Sequence, residues 1–142
     1  MATLIWRSFR SLPSLLNARP NLRVEIPGLL SEYRNTPVTL QDGLSEWKGE
    51  GGLWIAENDD HLVGLLRMDK HRTFWYLSSF VVRPEFQGKG YGKQLLRIAT
   101  EHADKPVILR VKHENPAQEM YTRHRFQEES IWDGRRYMKY YG

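Results

Sequence analysis

The stretch Val82–Lys93, VRPEFQGKGYGK, limits what this chain can become more than any other. It follows Thr73–Val82 (TFWYLSSFVV), an aromatic and β-branched run that reads as a buried strand. It leads into Gly92–Ala103, where Leu95, Leu96, Ile98 and Ala99 share one face of a helix. The unit is therefore strand, glycine-rich loop, helix. Alternate glycines at 88, 90 and 92 let several backbone N–H groups point into one concavity at the helix N-terminus. Unsatisfied amides and the helix dipole both favour an anion there. Lys89, Lys93 and Arg97 add positive charge around it. A plain glycine-rich turn with solvated lysines fits the glycines equally well. Two nucleotide motifs fail on spacing. A Walker loop needs Ser or Thr after the lysine, but Gln94 follows Lys93. A dinucleotide fingerprint needs its third glycine one residue later and an acid about 20 residues on.

The flanking sequence supplies further elements around this unit. Leu53–Glu57 and Leu62–Met68 are apolar runs on either side of Asn58-Asp59-Asp60, a hairpin signal, with Glu50-Gly51-Gly52 as a loop before them. Pro106–Val111 (PVILRV) is another buried strand, and Pro116–His124 a helix with Ala117, Met120 and Tyr121 on one face. Phe126–Trp132 and Arg135–Tyr141 form a second hairpin around Asp133-Gly134, a favoured two-residue turn. Thr3–Phe9 reads as a first strand, with a turn or helix start at 11–14. Leu22, Val24, Ile26, Leu29, Leu30 and Tyr33 could line a helix that Pro27-Gly28 interrupts, and Asp42–Trp47 a short helix. The expectation is one α/β domain over 1–142, with no repeat and no linker.

Composition removes several classes. With no cysteine, disulfide scaffolds, thiolate metal sites and thiol nucleophiles are out, and a reducing compartment such as the cytoplasm fits. Five histidines show no metal-ligand spacing, so no metal is expected. No apolar run nears the roughly 18 residues of a membrane span. The net charge of +4 suits an anionic ligand and is too small to demand nucleic acid. Residues 1–24 hold four arginines, several serines and no acid, so an organellar transit peptide is the alternative to a first strand.

The segment Phe80–Gly92 contains Q-x-x-G-x-G from Gln87 and closely resembles the acetyl-CoA loop of the GNAT N-acetyltransferases. A second block, Asn115-Pro-Ala-Gln-Glu-Met-Tyr121 through Phe126, resembles that family's N-x-A-x-x-x-Y-x-x-x-G-F helix. The resemblance covers about Leu53–Tyr141. It implies a mixed, mostly antiparallel sheet of about six or seven strands with about four helices, splayed between strands four and five. It implies direct transfer of an acetyl group from acetyl-CoA to a primary amine through a tetrahedral oxyanion, without metal or covalent enzyme intermediate.

Carried across, Gly88, Lys89, Gly90, Tyr91, Gly92 and Lys93 would hold the pyrophosphate through backbone amides, with Gln87 opening the motif. Phe80, Val81 and Val82 would meet the pantetheine arm as an added strand does and polarise the thioester carbonyl. Asn115 would bond the cofactor near a pantetheine amide. Tyr121 would protonate the leaving thiolate, a base comparable to its own phenolate, a role that Asn115 six residues upstream favours over that of an aromatic core residue. The fourth strand carries no acid, so the base would be a water relay ending at a backbone carbonyl or Glu114, with Glu57, His113, Ser78, Ser79 and Tyr76 as further candidates. Arg125 stands where the family has glycine, which puts the geometry around Tyr121 in question. A catalytically silent acyl-CoA-binding module is therefore the alternative function, and nucleic-acid binding through the basic residues a distant third. The acceptor is a small molecule or a protein amine, with a basic pocket disfavouring strongly cationic amines. Family habit allows a homodimer through the C-terminal hairpin.

Overall fold

The computed structural model describes residues 5–9, 21, 24–29, 51–58, 61–112 and 114–142. Its frame is one seven-stranded sheet: β1 (Ile5–Phe9), β2 (Gly51–Asn58), β3 (His61–Lys70), β4 (Trp75–Val82), β5 (Val107–Lys112), β6 (Gln127–Trp132) and β7 (Arg135–Tyr140). The order across the sheet is β1-β2-β3-β4-β5-β7-β6. Every neighbouring pair is antiparallel except β4 and β5, which run parallel. A parallel pair needs a crossover between its strands. Here that crossover is the 3-10 turn Pro84–Phe86, the glycine loop and helix α1 (Tyr91–His102). Helix α2 (Ala117–Arg123) then links β5 to the β6–β7 hairpin.

Helix α1 lays Leu95, Leu96 and Ala99, all fully buried, on one face of the sheet. They join Trp54, Leu66, Met68, Trp75, Leu77, Val107, Leu109 and Met138 in a single apolar cluster. Thr100 is buried within this face and satisfies its hydroxyl by donating to the Leu96 carbonyl at 2.8 Å. The residues that alternate with these along β2 and β3, including Leu53, Ile55 and Leu65, are equally buried, so both faces of the sheet's first half are covered. On the front segment, Ile26 and Leu29 are buried at helical spacing. Glu25 ties that segment to β3: its Oε2 accepts the Leu62 N–H at 2.8 Å, and its Oε1 meets His61 Nδ1 at 3.0 Å.

Several element boundaries depart from the sequence reading, each for a local reason. Residues 24–29 are helical straight through Pro27-Gly28. Burying Ile26 and Leu29, about 1.5–3 kcal/mol apiece, offsets the proline's cost of about 3 kcal/mol. Gly51 and Gly52 belong to β2 rather than to a loop. Gly51 is required by space, since a Cβ there would run into the Met68 backbone carbonyl as well as the Arg67 guanidinium. β4 begins at Trp75 because His71 and Phe74 close a turn first, with the His71 N–H on the Phe74 carbonyl at 2.9 Å and the rings stacked. The Asp133-Gly134 turn is as expected, both residues having positive φ (52° and 71°) as a type I′ turn requires. Thr3–Phe9 is represented by β1. The turn at 11–14, the helix at Asp42–Trp47 and the candidate His113 lie outside the described residues.

Candidate active site

The site begins with an irregularity in β4. Leu77 lies opposite Met68 and Ser79 opposite Arg67, so Ser78 is an extra residue bulging from the strand. Its hydroxyl donates to the Arg67 carbonyl at 3.3 Å. A bulge bends and over-twists its strand. β4 and β5 accordingly pair only at Trp75↔Val107 and Tyr76↔Ile108. Beyond those rungs β4 stays with β3 and β5 stays with β7. The two parallel strands diverge, and a cavity of about 590 Å³ opens between them on the helical side.

One end of the cavity is the glycine loop. Gly88 (φ 76°) and Gly90 (φ 85°) are both left-handed, and a Cβ on either would meet nothing within 4 Å. The conformation, not crowding, therefore asks for glycine there. Gly90 caps α1, and its carbonyl accepts the Gln94 N–H at 3.1 Å. The first N–H groups of α1 have no intrahelical partner and form the helix's positive end. Gly92 sits where α1 meets β4 and α2: a Cβ there would just touch the Phe80 ring at 3.4 Å and Met120 Sδ at 3.6 Å, and a larger side chain would press on both. Gly88, Gly90, Gly92 and Lys93 line the cavity; Lys89 and Tyr91 do not. The Lys89 ammonium lies 5.5 Å over the Phe86 ring, and Tyr91 packs on the same ring. Gln87 lines the cavity and its amide donates to the Val82 carbonyl at 2.9 Å, fastening the loop to the open edge of β4. Phe80, Val81 and Val82 form the adjoining wall. The Val81 carbonyl turns toward Gly64 on β3. Because backbone direction alternates, Phe80 and Val82 present their groups to the opening.

The other wall is α2. Asn115 Oδ1 accepts the Ala117 N–H at 2.9 Å, and its carbonyl receives Gln118, so this residue opens the helix as well as lining the cavity. Tyr121 lines the same cavity from a buried position, its ring 6.1 Å from Phe80 and 5.7 Å from Phe126. Arg125 adopts the left-handed conformation itself (φ 71°). Its N–H reaches the Thr122 carbonyl at 3.0 Å and the Phe126 N–H reaches Tyr121 at 3.0 Å. That pair of bonds is the glycine-type helix stop known as the Schellman motif, completed by the Tyr121–Phe126 contact. The departure at 125 thus leaves the helix ending intact and stores strain instead.

Sequence reasoning passed over His124, one turn from Tyr121 and on the cavity wall. Its Nε2 is 2.8 Å from Thr100 Oγ1, which ties the end of α2 to α1. Burial, followed by the nearby Lys93 charge, pushes the imidazole pKa below its usual range. The helical spacing of 121 and 124 was the available signal. Met120, at the same wall, was read only as an apolar helix position. Glu114 is exposed and lines a second, shallower depression with Gln118, Glu119 and Arg136. Glu57 is buried on β2, two strands away from β4. Ser79 is buried and Tyr76 half-buried on β4.

A sequence profile of the acetyltransferase (GNAT) family matches residues 21–126, spanning the glycine loop and α2. The chain belongs to that family. GNAT enzymes are acyltransferases, and solved structures agree on the fold. An acetyltransferase from Thermus thermophilus superposes with TM-score 0.76 at 17% identity, covering 100% of both chains. An acyl-CoA N-acyltransferase from Pseudomonas aeruginosa gives 0.72 at 22%, over 96% of this chain and 99% of its own. Arabidopsis thaliana NAA60, solved in complex with acetyl-CoA, gives 0.63 at 18%, over 98% of each chain. No curated protein matches in sequence. As expected from the sequence, the GNAT fold is a mixed α+β sheet that splays between its fourth and fifth strands.

Proposed function

We propose that this protein transfers an acetyl group from acetyl-CoA directly to a primary amine. One observation carries the reading: a single cavity runs from the N–H cradle of the glycine loop, past the open edge of β4, to the buried Tyr121. These parts fit the cofactor's own sequence of groups. Phosphates suit the amides of Gly88–Lys93 with the Lys93 charge. Pantetheine amides suit the backbone of Phe80 and Val82 and the Asn115 side chain, as a peptide adds to a sheet edge. Lys89 and Tyr91 would contribute through their backbone, since their side chains are engaged with Phe86.

Bound acetyl-CoA supplies an activated acetyl thioester. The edge N–H groups of β4 would polarise its carbonyl, held in place by the Ser78 bulge before reaction begins. The amine nitrogen forms the new C–N bond as the C–S bond breaks. Tyr121 would give its proton to the departing sulfur, and the amine would lose one to water, which balances the step. Glu114, on the outer side of the Asn115-Pro116 turn, would take part only as the far end of a water relay. The helix stop kept at Arg125 favours this reading over a silent acyl-CoA-binding module.

Calorimetry with acetyl-CoA, followed by thiol release in the presence of an amine panel, tests the proposal. Binding with amine-dependent release is expected. Binding without release from any amine would support the silent module, and no binding would overturn both.

A further inference from the structure

The cavity lies on the helical side of the sheet, so an acceptor reaching the acetyl group from the other side must cross the outer face of β4, β5 and β7. Alternation assigns that face. Val107, Leu109 and Val111 are buried toward the helices, which leaves Ile108, Arg110 and Lys112 on the outside. On β7, Met138 and Tyr140 pack into the core, so Arg135, Tyr137 and Lys139 point outward. Tyr76 shares this outer face, between the inward Trp75 and Leu77. Arg110 sits opposite Tyr137 and two residues past Ile108, the last rung shared with β4. At about 3.3 Å per residue it stands roughly 7 Å along the mouth of the divergence. Strand register sets Tyr137 directly opposite it and Tyr76 beside Ile108 on the neighbouring strand, and the interaction with Tyr76, followed by that with Tyr137, holds the guanidinium above its usual pKa.

The charge on this face is one-sided. Arg110, Lys112, Arg135 and Lys139 have no carboxylate partner among the described residues. Asp69, opposite Tyr76 on β3, is engaged by Arg67 at 2.8 Å. Glu128 pairs with Arg136, and Glu129 accepts from Tyr141. An ammonium ion approaching this mouth with nothing to offset its charge is repelled. We propose that the acceptor is an amine that also carries a carboxylate, an amino acid in the chemical sense, seated on the outer face with its carboxylate on Arg110 and the Tyr76 and Tyr137 hydroxyls. The guanidinium fork matches a planar carboxylate, and the two phenols fix its plane. The amine then faces the opening between β4 and β5, while Lys112 and Lys139 repel purely cationic competitors.

The inference rests on the acetyltransferase reading, and its test separates the two. Thiol release is measured for α-amino acids against their α-carboxamides, alkylamines of equal length and aminoalkylphosphonates. Carboxylate-bearing amines are expected to lead in kcat/KM by about 10- to 100-fold, the range of a charge-assisted pair. Arg110→Gln should raise KM for amino acids by a similar factor without moving the acetyl-CoA Kd. Arg110→Lys should restore only part of the loss. A second arm needs no turnover: N-acetyl amino acids should raise the thermal midpoint of the wild type and not of Arg110→Gln. Equal rates on acids and amides, preference for alkylamines or phosphonates, or unaltered KM in Arg110→Gln would overturn the carboxylate site. If no amine releases thiol, the acetyltransferase reading falls and the N-acetyl ligand arm decides the site by itself.

Discussion

Arg125 holds a left-handed backbone at φ 71° at the end of α2, a conformation that a residue with a Cβ adopts at a cost of about 1–2 kcal/mol. Arg125→Gly removes that cost. Glycine's greater freedom in the unfolded chain returns about 0.5–1 kcal/mol, leaving a net stabilisation of roughly 1 kcal/mol. The two helix-stop hydrogen bonds come from the backbone N–H groups of residues 125 and 126, so they survive the change. For a chain of this size, 1 kcal/mol moves the melting midpoint by about 3–5 °C. Arg125→Ala is the control, because it discards the same charge and side chain yet keeps the Cβ. Urea and thermal denaturation of the three proteins should rank Gly above Ala, with Ala near or below the wild type. If Gly and Ala unfold together, the strain assigned to this position is not there. The same pair carries a functional reading: acetyl-CoA affinity should change little in either, since Arg125 does not line the cavity.

Tyr121→Phe should keep the fold and acetyl-CoA affinity while lowering kcat about 10²- to 10⁴-fold, the span of a positioned general acid; an unchanged kcat removes Tyr121 from catalysis. Gly92→Val should weaken acetyl-CoA binding and cost about 1–3 kcal/mol by pressing on Phe80 and Met120, read by calorimetry and urea midpoint. His124 supplies a pH signature. Its folded pKa is depressed, so the unfolded chain takes up the proton first. Stability should therefore decline as pH falls from the ordinary imidazole value of about 6.5 toward the lower folded value. Urea midpoints at pH 7.5 and 5 should differ less in His124→Gln than in the wild type, and equal differences would remove His124 as the cause.

Much of this protein was legible in order along the chain. The alternate glycines, the apolar faces of α1 and α2, and the Asp133-Gly134 turn are local patterns whose physics lies within a few residues. They sufficed for the element sequence of the second half and for the glycine loop that opens α1. Boundaries failed where distant atoms decided them, as at Gly51, which lies in β2 against the Met68 carbonyl and the Arg67 guanidinium of the next strand. The helix over 24–29 runs past Pro27 because Ile26 and Leu29 find burial, which no local propensity records.

Tertiary structure decided which members of those patterns share the cavity. The bulge at Ser78 exists only in the pairing of β4 with β3, and it separates β4 from β5. Across that separation the loop and Tyr121 share one cavity, while Lys89 and Tyr91 lie on Phe86 and Glu114 lines a different depression. Arg125 shows the division most plainly. Sequence comparison marks it as a departure from glycine, while only the backbone shows that the helix stop persists and that the consequence is strain. Composition set the net charge at +4, and strand alternation placed four cations on one outer face. Local sequence determines what each segment prefers to be, because those preferences act over a turn or a strand. Which side chains meet is set by packing between strands far apart in the chain.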